Sequence, residues 1–85
     1  MPRTPLSLEE QRRGRLLGQA LQRHRGTTSG ARVAHAAGIS VDALRKLEQG
    51  GTPTPGFFLV ARIAAVLQVS LDDLLSDATD RSKDQ

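Results

Sequence analysis

The 85-residue sequence contains no cysteine, tryptophan or tyrosine, one methionine and two phenylalanines. Without cysteine there is no disulfide staple and no thiolate to hold a metal, so stability must come from packed apolar surfaces, as suits a reducing compartment. With Phe57 and Phe58 the only aromatics, the chain lacks the stacking platform that grips single-stranded nucleic acid. No apolar run approaches the roughly 20 residues that span a bilayer, and residues 1–8 lack the apolar stretch of a secretion signal. A cytoplasmic protein with no membrane partner is therefore expected. Glycines at phosphate-loop spacing are also missing. A chain of this length buries only about 60% of the surface it exposes when unfolded, so it supports one core.

What the chain does have is basic charge, unevenly placed. Residues 1–34 carry seven arginines against Glu9 and Glu10, a segment charge of +5. Residues 35–69 come to +1 and residues 70–85 to −3. A basic front with an acidic tail fits a polyanion partner for one face, and it also fits an ordinary solvated surface.

Helix signals punctuate the sequence. Ser7-Leu8-Glu9-Glu10 has capping-box spacing and starts a first helix that is expected to reach about Arg23. Leu17, Ala20, Leu21 and His24 give its second half an apolar face, whereas Gly14 interrupts a polar first half. Ser29 is placed to cap a short second helix that Gly38 stops, and Ser40 to cap a third over about Val41–Gln49. The Thr52-Pro53-Thr54-Pro55-Gly56 segment must be a loop, with Pro55 a candidate first residue of helix four. Phe57, Val60, Ile63, Ala64 and Leu67 form a helical stripe expected to face the core, with Phe58 off it. Ser70 and Asp73 repeat the cap ahead of a fifth helix. The organisation expected is an N-terminal arm over 1–6, a domain over 7–76 and a flexible acidic tail over 77–85, all-α and without strands.

Between Gly30 and Gln49 the residue types satisfy what two helices crossing around a tight turn require. Ala34 is small where the helices would meet, and Gly38 supplies a left-handed turn without steric cost. Val33, Ala37, Ile39, Leu44 and Leu47 are the apolar contacts. Val41, Asp42, Ala43, Arg45 and Lys46 are left for the outer face.

The run from Val33 to Ser40 resembles the second helix and turn of the Cro/C1-type (XRE-like) helix-turn-helix family. Leu44 to Gly50 is similar to the end of its recognition helix, Ile63 to Leu75 to its last two helices, and Leu17 to Leu21 to its first. The resemblance covers about residues 15 to 75 and implies a five-helix, lambda-repressor-like DNA-binding domain whose helices 2 and 3 form the helix-turn-helix. It further implies that helix 3 enters the major groove of double-stranded DNA. Val41, Asp42, Ala43, Arg45 and Lys46 would then face base edges. Ser29, Gly30, Ser40, Gly51, Thr52 and Thr54 would meet phosphates, Ser29 and Gly30 through backbone donors and Gly51, Thr52 and Thr54 likewise from the following loop. Glu48 would pair with an arginine of the first helix, either Arg25 or Arg23. Gly30 stands where many members of the family carry Gln, so no side chain can act there.

Arg12, Arg13 and Arg15 read as solubilising the first helix, with a wider phosphate footprint as the alternative. The two histidines, His24 and His35, lie on separate helices with no Ser or Asp placed to complete a triad, so neither catalysis nor a cofactor is expected. Asp77, Asp80 and Asp84 lack the spacing and glycine of a calcium loop, so no metal is expected either. A homodimer is expected, through helix five or residues 8–16, because one module reads only a half-site. The competing reading is a protein-interaction module of the same fold that binds a toxin, a sigma factor or a larger regulator.

Overall fold

The computed structural model describes residues 7–79, which form five helices and no strand. They are α1 (Leu8–Arg25), α2 (Gly30–Ala37), α3 (Val41–Glu48), α4 (Phe57–Leu67) and α5 (Leu71–Thr79). The expected arm over 1–6 and the tail beyond residue 79 lie outside the described residues.

Serine chemistry sets four of the five helix starts. The Ser7 hydroxyl accepts from the Glu10 N–H at 3.1 Å while the Glu10 carboxylate accepts from the Ser7 N–H at 3.0 Å, a complete capping box. Ser29, Ser40 and Ser70 accept from the N–H groups of Arg32, Ala43 and Asp73 at 3.0–3.1 Å. Helix α4 differs: Gly56 is its N-cap and offers no side-chain bond, so Pro55 precedes the helix instead of opening it. Helix α1 runs two residues beyond the expected Arg23 before Gly26, at φ 59°, turns the chain.

The core is built from Ala20 and Leu21 of α1, Val33, Ala34 and Ala37 of α2, Leu44 and Leu47 of α3, Ile63 and Ala64 of α4, and Leu74 of α5. Helix α1 packs along α5 and against α3, while α2 packs against α3 and α4. Phe57 departs from the expected stripe. It is 64% exposed, and its ring meets Phe58 edge-on at 5.2 Å. The periodicity is right, but the stripe outruns the core: burial begins a turn later, with Val60 half-buried and Ile63 fully enclosed. The domain boundary at 76 also moves. Helix α5 continues through Asp77, Ala78 and Thr79, because Ala78 is buried and the Asp77 carboxylate lies 3.6 Å from both Arg23 and His24 of α1.

Two glycines of α1 set how closely it approaches α3 and the loop beyond. A Cβ on Gly18 would lie 2.5 Å from the Glu48 carbonyl oxygen, and one on Gly14 would lie 2.7 Å from Pro53 Cα. Spaced four residues apart, they share one face of the helix. Gly14, which reads in sequence as an interruption, is a point of backbone contact.

Candidate nucleic-acid interface

Helices α2 and α3 meet around the turn at Gly38, whose φ of 75° is left-handed. The Ile39 N–H closes the turn onto the Ala34 carbonyl at 2.9 Å, and the Ala34 side chain is fully enclosed. The turn and the Ser40 cap together aim the start of α3 outward.

On α3, Asp42, Ala43, Arg45 and Lys46 are exposed. Val41 is not on that open face: it is half-buried and packs against the core. The reason is periodicity, since positions 41, 44 and 48 share a side of the helix, and that side carries the buried Leu44 and the nearly enclosed Glu48. Asp42 and Arg45 form an ion pair at 3.4 Å whose members are 94% and 62% exposed. At such exposure the pair contributes about 0–1 kcal/mol, so it is easily given up to a partner.

Beneath the exposed face lies a stronger pair. Arg25 Nε donates to Glu48 Oε2 at 2.7 Å, and a second guanidinium nitrogen donates to Oε1 at 2.9 Å. The third nitrogen donates to the Thr28 carbonyl at 2.8 Å. This two-point fork locks the end of α1 and the following turn to the last turn of α3. Of the two candidates left open, Arg25 is thus the partner, and Arg23 faces Asp77 instead. The hydrogen bond to Glu48 raises the Arg25 pKa above its ordinary value against the opposing effect of burial. For a cation whose folded-state pKa is raised, the stabilisation is present at all lower pH and is lost only as pH climbs through that raised value. The arginine side of the pair therefore stays charged across the neutral and moderately alkaline range.

The residues expected at phosphate are arranged unequally. The hydroxyls of Ser29 and Ser40 accept from backbone N–H groups, which leaves each O–H proton free to be donated outward. Gly30 is the first residue of α2, and helix geometry gives its N–H no acceptor within the helix. Gly51 differs from expectation, because its N–H is bonded to the Lys46 carbonyl at 2.9 Å, closing the end of α3. It therefore offers no free backbone donor. Thr52 is half-buried and Thr54 is exposed. Thr54 also borders an apolar groove lined by Pro53, Pro55, Phe57, Leu71 and Leu75.

Gly30 borders a small hollow together with Ala31, Val41, Leu44 and the Arg25–Glu48 pair. A Cβ at position 30 would lie 3.8 Å from Leu44 Cδ2 and 3.9 Å from Arg25 Cζ, ordinary contact distances. Gly30→Ala is accordingly expected to stabilise the fold by about 0.5 kcal/mol, mainly by restricting the unfolded chain. A lower urea midpoint for this variant would contradict the open geometry at this site.

Sequence reasoning missed the packing of α1 and α3 side chains onto the turn after α3. A Cβ on Gly50, which has φ 79°, would lie 3.0 Å from Arg15 Cγ, and one on Gly51 would lie 2.9 Å from Lys46 Cγ. The glycine pair was legible as a helix stop, but nothing local shows which side chains cover it.

Among the described residues no group of acidic, histidine or cysteine side chains is placed to hold a metal ion, and no helix is long and apolar enough to cross a membrane. The model of a family described as a helix-turn-helix domain matches residues 16–77, most of the chain. Comparison with the curated proteins returns no match.

Proposed function

We propose, from the premise that this chain belongs to the helix-turn-helix domain family, that it is a transcriptional regulator that places α3 in the major groove of duplex DNA. The family supports a DNA-binding regulator in general terms. The observation that carries the finer reading is the construction of α3. Its inner side is clamped by the Arg25–Glu48 fork, and its outer side presents Asp42, Ala43, Arg45 and Lys46 to solvent. Arg45 and Lys46 can donate to guanine, Asp42 can accept from cytosine N4 once it parts from Arg45, and Ala43 can touch a thymine methyl. Ser29 and Ser40 hydroxyls, the Gly30 N–H and the threonines at 52 and 54 are proposed to hold phosphates on either side.

One such module reads a short half-site, and a homodimer doubles it. The exposed Phe57, Phe58, Leu71 and Leu75 around the apolar groove favour self-association through the α4 and α5 starts. The same surface supports a second reading, in which the fold binds a different protein.

The two readings separate in a salt series. Fluorescence anisotropy with mixed-sequence duplex DNA is expected to show binding that weakens steeply with salt, by about 0.9 in log affinity per log salt for each phosphate neutralised. The double variant Arg45→Ala, Lys46→Ala should lose about tenfold or more in affinity while keeping its helical circular dichroism. Absence of binding at low salt would favour the protein-partner reading.

A further inference from the structure

We propose that Arg15 is a phosphate-binding residue of the DNA face, its stem packed on Gly50 next to the Gly51 that carries the base-reading Lys46. The proposal rests on the DNA-binding reading and adds to it a residue that precedes the matched span of 16–77.

The glycine turn that ends α3 offers a phosphate neither charge nor a free donor, which leaves the Thr52 and Thr54 side chains as its own contribution. Residues 49–56 contain no charged side chain. The N–H groups of Gly50 and Gly51 are bonded to the Leu47 and Lys46 carbonyls at 3.1 and 2.9 Å. Neither charge nor a free glycine donor is available from this backbone.

Two cations are packed directly onto it. The Arg15 backbone and stem lie against Gly50, close enough that an added Cβ would fall 3.1 Å from Arg15 Cα and 3.0 Å from its Cγ. The Lys46 stem lies in the same way against Gly51. Consecutive Cα atoms are about 3.8 Å apart, so the two stems are anchored one residue apart at the C-terminal end of the recognition helix. Both side chains are exposed, and no carboxylate among the described residues pairs with either. An exposed, unpaired guanidinium whose stem is fixed by packing gives up less freedom when it meets a phosphate, and its planar fork suits phosphate oxygens.

The placement of Arg15 has a structural cause. Gly14 presses α1 against Pro53 and Gly18 presses it against the end of α3, so the first half of α1 is docked beside this turn. Arg13, two residues earlier, projects about 200° away around the helix and has no part in the site.

The test compares salt slopes. Arg15→Gln should lower the dependence of log affinity on log salt by about 0.9, as expected for one lost phosphate contact, and should weaken binding by a similar factor on unrelated duplexes. Between about 50 and 200 mM salt the variant then loses about threefold less affinity than the parent chain. Arg15→Lys should keep most of the slope, and Arg13→Gln should leave it unchanged. Thermal unfolding of each variant separates lost packing from lost charge. An Arg15→Gln slope equal to that of the parent, with Lys46→Gln still reducing it, overturns the role of Arg15 and leaves the DNA reading standing. An equal reduction in Arg13→Gln overturns it too, showing a general charge effect. A parent chain that fails to bind duplex at low salt overturns both.

Discussion

Gly18→Ala is expected to lower the melting temperature by about 10 °C, although alanine is the better helix former. On helix propensity alone the substitution would stabilise by about 1 kcal/mol. The new methyl carbon, however, would sit 2.5 Å from the Glu48 carbonyl oxygen and 2.6 Å from that of Leu47. These are backbone atoms at the end of α3 and cannot turn aside as a side chain would. Helix α1 must then move off α3, with an overpacking cost of about 3 kcal/mol. The net loss of about 2 kcal/mol corresponds to roughly 10 °C for a domain of this size. Because the displaced element is α3, DNA affinity should fall as well. A melting temperature equal to or above that of the parent would show that the approach is looser than described.

Glu48→Ala is expected to cost about 3 kcal/mol, read as a lower urea midpoint. With side chains 8% and 19% exposed, Glu48 and Arg25 are largely enclosed, so truncating the acid strands a guanidinium whose remaining bond is to the Thr28 carbonyl. Breaking one partner of a fully buried pair costs about 3–5 kcal/mol, and the partial exposure of Arg25 puts this case at the lower end. Replacing both residues, Arg25→Met with Glu48→Leu, should be less damaging than the two single losses added, because no unpaired charge remains. Strict additivity in that cycle would contradict a coupled pair.

Much of the fold was legible because its punctuation is local. Ser7, Ser29, Ser40 and Ser70 each act on an N–H three residues ahead, and such chemistry can be read within a single turn. The helix-turn-helix was legible for the same reason, through Ala34 and Gly38. Distance in sequence hid the rest. Periodicity gave the α4 stripe its direction but not its extent, so Phe57 looked buried until the missing neighbour was seen. Polar composition gave 77–79 the look of a tail, although Ala78 finds a place in the core and Asp77 reaches α1. The choice of Arg25 over Arg23 depended on where α1 stops, and the contacts of Gly14, Arg15 and Gly18 depended on segments 29 to 39 residues away. On α3, the outer face was right for Asp42, Ala43, Arg45 and Lys46 and wrong for Val41, whose side is shared with Leu44.

Among the five described helices, α4 alone begins without a side-chain cap, and its first two residues are Phe57 and Phe58. Glycine is a serviceable N-cap, and the Val60 N–H bonds the Gly56 carbonyl at 3.2 Å, so this start is a formed turn that stands outside the core. The two rings are therefore carried on a turn that the core does not enclose. That surface is apolar and open, whereas α3 is capped at its start and clamped at its end. The chain thus joins a clamped polar face on α3 to an open apolar one at the start of α4, and side chains at 57 and 58 can be changed without disturbing the core or α3.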